Sequence, residues 1–382
     1  MRRVAAFVAM VALVSVFLVS SGSDAGARTV VGRSVTLRWL QMVDATRGYA
    51  LSGGGDIYRV LRTVDGGRSW LDIAPGHGTY RATSPITIVG QTLLFSTRVR
   101  NGRFAVERSD DGGRTWNQSL AFRDPRGSPA AGQPFSIDGR HLYLAVNEGA
   151  AAGSSGQALF TSSDRGHSWH FVSGTQNGNN PNATQLPFGC DKDGFGFATS
   201  RRGFAGGYCA GGLPFFYRTE DGGRIWRRQL LPVPRQCACE TTAPTFFSPT
   251  VAVLSVYGFA VNGSGKPFLR VLWTHDGGTH WVGRSPRIGR ASRPVVADAK
   301  TVWVAGQTPG NLRAPFNRLY RTEDAGAHWA VRRLPFNAQN YQLDPLNSQT
   351  IFALEIVLGT RSIAVTRDGG RHWQTIKPIL VS

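Results

Sequence analysis

Lysine is almost missing from this chain. Only Lys192, Lys266, Lys300 and Lys377 carry an ammonium among 43 basic residues, so the formal charge of +19 is an arginine charge. Acid is scarce as well, with 24 Asp and Glu in 382 residues, which leaves little material for catalytic carboxylate pairs. The eight histidines show no paired spacing for a metal, and no metal or other cofactor is expected. No Ser-His-Asp signature and no phosphate loop occurs, and Gly53-Gly54-Gly55 reads as a hairpin turn without a following helix. Beyond residue 19 no run is apolar enough to span a bilayer, which excludes stable membrane insertion of the remainder.

At the N-terminus, Arg2 and Arg3 precede an apolar run from Val4 to Val19, and Ala25-Gly26-Ala27 offers small residues for cleavage. This reads as a secretory signal over residues 1–27 and places residues 28–382 outside the cytoplasm. Ten tryptophans and 41% hydrophobic residues suffice for a large core, while 47 glycines and 20 prolines suggest short strands and many turns. A basic field steers anionic partners at long range. Export removes nucleic acid from those candidates and leaves an extracytoplasmic protein or an anionic polymer or glycan, met by a monomer.

One motif organises the chain. Ser/Thr-x-Asp-x-Gly-x-x-Trp occurs seven times, with its aspartates at Asp65, Asp111, Asp164, Asp221, Asp276, Asp324 and Asp368, in steps of 46, 53, 57, 55, 48 and 44 residues. Such a period fits one four-stranded propeller blade with variable loops. The Asp carboxylate can accept main-chain N–H groups of a tight turn, the second glycine accepts a backbone conformation that a Cβ resists, and the Trp supplies apolar area to the next sheet. A residue needed at every hairpin is there for turn chemistry, so these aspartates are expected to be structural.

Segments such as Thr219-Glu220-Asp221-Gly222-Gly223-Arg224-Ile225-Trp226 and Thr366 to Trp373 resemble the Asp-box, or bacterial neuraminidase repeat. That repeat is found in sialidases, sortilin-type receptors, xyloglucanases and the photosystem II assembly factor family, and Arg47-Gly48-Tyr49-Ala50-Leu51 resembles a strand pattern of the last of these. The resemblance covers essentially the whole chain after the signal. It implies an all-β, seven-bladed β-propeller with one Asp-box per blade, the blades lying roughly at 35–76, 82–124, 132–174, 188–232, 243–285, 292–335 and 340–380. Blade 7 reads as complete from the C-terminal end, and Val30 to Leu37 could add an edge strand. The assembly factors imply a protein-binding face. The repeat itself sits on folds with unrelated activities.

In such a fold the boxes share one face. The long loops within and between blades, among them Gly174 to Phe188, Leu231 to Thr245, Val282 to Pro294 and Gln307 to Asn317, lie on the other, where binding is expected. Arginines map there in number: Arg98, Arg100 and Arg103; Arg123 and Arg126; Arg284, Arg287, Arg290 and Arg293; Arg313 and Arg318. Guanidinium groups fork onto carboxylates and phosphates, so these are the candidate binding residues. Cys190, Cys209, Cys237 and Cys239 fall on the same face and, in an exported chain, read as two disulfides with three possible pairings. A Cys237–Cys239 bond would close a strained small ring, which favours Cys190 and Cys209 each joining one of them. A zinc site is disfavoured because the one short-spaced pair is Cys-x-Cys. Asp191-Lys192-Asp193-Gly194 lacks the third oxygen ligand and distal Glu of a calcium loop and reads as a turn.

An enzyme reading has few residues to use. The sialidase Arg-Ile-Pro tripeptide is absent, although Tyr341 and Glu355 can be nominated as a Tyr–Glu pair by position. For a glycoside hydrolase the best carboxylates outside the boxes are Asp44 and Asp344, at the ends of first strands in blades 1 and 7, where Asp is also a common turn former. The sequence therefore favours a non-catalytic binding scaffold, with a sialidase-like or other glycoside hydrolase as the alternative.

Overall fold

The computed structural model describes residues 32–54, 57–75, 85–99, 103–123, 132–151, 153–175, 185–209, 214–233, 237–260, 265–311, 313–355 and 362–381. Residues 1–27, read above as a secretory signal, lie outside them. Among the described residues the structure is all-β apart from a single 3-10 turn, Ala338–Asn340, and no helix is long and apolar enough to cross a membrane.

Four sheets have four strands each, every strand antiparallel to the one before it. They run Thr87–Val89, Thr92–Val99, Arg103–Ser109, Asn117–Arg123; Pro134–Ser136, Leu142–Ala151, Ser154–Ser162, His170–Gly174; Val295–Val296, Val302–Gly306, Arg318–Thr322, Ala330–Arg333; and Tyr341–Pro345, Ile351–Glu355, Ile363–Thr366, Gln374–Ile376. A six-stranded sheet contains Leu37–Met42, Gly48–Gly54, Ile57–Thr63 and Ser69–Asp72 and continues into Ile379–Val381 and Arg33–Ser34. A nine-stranded sheet holds two four-stranded groups, one from Asp191–Phe197 to Arg227–Arg228 and one from Thr245–Phe246 to Val282–Arg284, fused by Cys237–Thr241. Phe, Val, Leu and Trp fill strands such as Ala252–Ala260 and Val302–Gly306, whose residues are mostly buried, as expected for strands covered on both faces.

The box turns carry out the chemistry read from their sequence. In every one the Ser or Thr hydroxyl donates to the Asp Oδ1 at 2.8–2.9 Å. The same hydroxyl accepts the N–H of the second glycine position. The Asp Oδ1 also accepts the N–H of the residue four positions on. His280, His328 and His372 add a ring Nδ1 on Asp Oδ2 at 2.5–2.6 Å, where Ser69, Thr115 and Ser168 place a hydroxyl. Asp324 is accordingly held down at about 2, first by the His328 N–H and then by its imidazole.

Buried side chains fall into seven clusters, each shared between consecutive four-stranded groups. Tyr143 and Leu159 pack with Phe197 and Trp226, for example, and Val253 and Trp273 with Val302 and Tyr320. One cluster joins the last group to the first, with Phe352 and Val365 against Leu40, Leu61 and Trp70. At this seam side chains of Tyr341–Pro345 bond the backbone of Leu37–Met42. Gln342 both accepts from Leu40 N–H (3.2 Å) and donates to Leu40 O (2.7 Å), and Asp344 Oδ2 accepts Met42 N–H at 2.7 Å.

Three expectations change. Residues 379–381 belong to the first sheet instead of ending blade 7: Ile379–Val381 runs parallel to Ser69–Asp72, and Arg33–Ser34 pairs on its far side, within the 30–37 segment read as an edge strand. The supposed loop from Leu231 to Thr245 contains the strand Cys237–Thr241, which pairs with both Gly203–Cys209 and Ala252–Ala260. Asp191 to Gly194 is the start of a bulged strand, not a turn.

At the first box glycine position, Arg165 and Ala325 replace glycine yet keep φ of 63° and 55°. A Cβ is strained there. Ala325→Gly is therefore expected to raise stability by about 1 kcal/mol, read as a higher thermal midpoint; an unchanged or lower midpoint would show that the turn imposes no backbone cost.

Candidate functional site

Two adjoining cavities open at the strand ends remote from the box turns. The larger, about 360 Å³, is lined by residues at or near the starts of successive first strands, including Gln133, Phe135, Lys192, Asp193, Thr245 and Arg293. The second, about 250 Å³, is walled by Tyr208, Glu240, Tyr257, Phe259 and Arg290. Between them stands a charged set drawn from three segments. Arg293 grips Asp193 in a forked pair at 2.5 and 2.6 Å and reaches Glu240 at 3.0 Å, and the Tyr257 hydroxyl is hydrogen-bonded to Glu240.

The fusing strand Cys237–Thr241 creates this arrangement. Its residues alternate, with Cys237, Cys239 and Thr241 buried and Ala238 and Glu240 turned to the cavities. Register sets Glu240 opposite Tyr208 on one side and Tyr257 on the other, forming a row across three strands. Burial pushes the Glu240 carboxyl up, and Asp193 adds to this, while Tyr257 and Arg293 oppose it. Two carboxylates thus share one guanidinium. Lys192, also at the cavity wall, is committed to backbone: its ammonium donates to the carbonyls of Ser155, Phe188, Gly189 and Cys190 at 2.7–3.2 Å and lies 5.3 Å from the Phe215 ring centroid.

The disulfides pair differently from the expectation. They are Cys190–Cys209 and Cys237–Cys239. Cys190 directly precedes the strand in which Asp191 faces Tyr208, so it lies opposite Cys209, 4.8 Å away between Cα atoms. Cys237 and Cys239 sit two apart on one strand and point to the same buried side. Both bonds brace the segments that carry Asp193 and Glu240.

The nominated residues are scattered. Asp44 is spent on its own turn: Oδ1 accepts the N–H groups of Thr46 and Arg47, and Oδ2 pairs with the Arg47 guanidinium. Those contacts, the Arg47 N–H first, hold its carboxyl well below the usual range. Asp344 serves the seam, where burial pushes it up to about 7 against the pull of Met42 N–H. Tyr341 and Glu355 do face each other across a strand pair, but the Tyr341 ring is stacked on Phe336, 4.5 Å between centroids. Of the arginines, Arg293 is bound to carboxylates instead of presenting an open fork, Arg318 turns its Nε towards Thr308, and Arg284, Arg287, Arg290 and Arg313 are exposed. The side chains of Arg98, Arg103 and Arg123, and the whole of Arg100 and Arg126, lie outside the described residues. Among the described residues no group of three or more His, Cys, Asp or Glu could hold a metal ion.

Glu240 and Tyr257 were missed, and Asp193 was weighed only as part of a calcium loop. The available signal was their neighbourhood, since Asp193 and Glu240 each lie within three residues of a cysteine.

No family model and no curated protein sequence matches this chain. Solved structures do. YCF48 bound to D1 peptide is 15% identical over 89% of this chain and 91% of that one, with a TM-score of 0.52. YCF48 from Cyanidioschyzon merolae is 16% identical over 90% and 98%, with a TM-score of 0.53. The GH74 xyloglucanase from Xanthomonas campestris is 16% identical over 92% of this chain but 55% of its own, with a TM-score of 0.58, so the chain spans about half of that enzyme's length. These likenesses define the fold: the chain is a β-propeller of the kind shared by photosystem II assembly factors and GH74 enzymes.

Because the folded pKa of Asp344 lies above its ordinary value, its contribution is full at acid pH and is lost as pH rises from about 4 towards 7. Asp344→Asn removes the titration while keeping an acceptor for Met42 N–H. The variant is expected to gain thermal midpoint over the wild type by several degrees at pH 8 and to gain little at pH 4; a difference independent of pH would contradict the seam role.

Proposed function

We propose that this chain is an exported, seven-bladed β-propeller with one Asp-box per blade, and that it is a non-catalytic scaffold binding a partner protein at the mouth remote from the boxes. Seven clusters linking each four-stranded group to the next, and the last to the first, support the blade count. Two disulfides accord with an oxidising compartment.

The observation that carries the binding reading is the pair of cavities at that mouth, built from several blades, while the box aspartates, Asp44 and Asp344 are all engaged by backbone N–H groups. Exposed Arg284, Arg287 and Arg313 lie at or near the same end and would steer an acidic partner. A structural neighbour, YCF48, has been captured with the D1 peptide. A second reading has one observation in its favour: Tyr257, Glu240, Asp193 and Arg293 form a Tyr–carboxylate–arginine set beside a cavity, which a glycoside hydrolase could use.

A screen of the mature protein against fluorogenic glycosides, run beside pull-down from its own envelope, separates the two. Capture of an envelope protein that weakens with salt, without turnover, is the expected result. Turnover abolished by Glu240→Gln or Tyr257→Phe would favour the hydrolase instead.

A further inference from the structure

Two carboxylates stand among the cations at the mouth of this basic chain. In a chain of formal charge +19, Asp193, with 16% of its side chain exposed, and Glu240, with 29%, stand between the cavities. They share the one guanidinium of Arg293. An anionic group entering here meets two carboxylates that share the Arg293 guanidinium, with Arg290 as the further cation on the wall of the smaller cavity. An ammonium or guanidinium entering beside Glu240 meets a carboxylate short of positive charge and, in the same cavity, the side chains of Tyr208, Tyr257 and Phe259. Aromatic faces attract cations, and this cavity already shows it: the Arg290 guanidinium lies over the Phe259 ring, 5.5 Å from its centroid. The volume of about 250 Å³ is of the size of one long side chain, too small for a folded element.

We propose that the cavity walled by Tyr208, Glu240, Tyr257 and Phe259 is a seat for one lysine or arginine side chain of a partner that is otherwise acidic. The exposed arginines of the rim attract the acidic chain, and the Glu240 seat selects the cation within it. Arg290 occupies part of the aromatic wall and competes for it. The inference rests on the protein-binding reading and names the chemistry of the residue recognised.

The test uses the mature protein and a library of acidic peptides with one variable position. The expected result is enrichment of Lys or Arg at that position, with at least tenfold tighter binding than matched peptides carrying norleucine or citrulline. Glu240→Gln should bring that ratio close to one, and Tyr208→Ala, at a partly exposed position, should lower it. Arg290→Ala should strengthen binding of the Lys and Arg peptides by vacating the wall; an anion seat would be weakened by the same change. Peptides that bind equally well with citrulline or norleucine, or a preference that survives Glu240→Gln, would overturn the cation seat while leaving the scaffold reading in place. No peptide binding at all, together with glycoside turnover, would remove both.

Discussion

A carboxylate that accepts its own turn's N–H groups underlies the rest of this molecule. Each of the recurring turns places one carboxylate oxygen where backbone donors would otherwise be left unpaired, and the Ser or Thr hydroxyl bridges the carboxylate to the glycine N–H. The turn is then rigid enough to aim a tryptophan. Trp70, Trp226 and Trp281 each return an indole N–H to the glycine carbonyl of their own box and are buried against a neighbouring sheet. Repeating this device fixes where the last two strands of each group meet. The variable segments are thereby displaced to the opposite end.

Legibility followed periodicity. The box recurs at fixed internal spacing, so its residues could be assigned to turn chemistry from the sequence, and in all seven copies the Asp Oδ1 accepts the N–H four positions on. Strand positions around Leu93 or Phe352 were equally readable, because alternating or continuous apolar runs between turn residues leave few other options. The mouth was not. Glu240 becomes interesting only when Cys237–Thr241 pairs with two blades at once, and a five-residue strand inside a link shows no repeat and no period of its own. The disulfide pairing failed for the same reason: it depends on register between segments, and ring size alone pointed elsewhere.

Counting arginines was misleading in a related way. Arg293 looked like one of eleven equivalent rim residues, yet it is paired with Asp193 and Glu240. A guanidinium paired with two carboxylates contributes little field at long range, whereas exposed Arg287 or Arg313 contributes to it fully. Position relative to acid, which the sequence does not order in space, separates the two roles.

The seam between Leu37–Met42 and Tyr341–Pro345 joins positions 302 residues apart, and the strand Ile379–Val381 that backs the first sheet comes later still. Ring completion is thus the least local event in the chain and carries the largest loop-closure entropy. A nascent chain can assemble its blades in order from the N-terminal side, but the first blade keeps an open edge and an uncovered apolar face at Leu40 and Trp70 until Ile351–Glu355 and Ile379–Val381 arrive. Closure of the first sheet therefore waits on Ile379–Val381, and until then its open edge invites aggregation or chaperones.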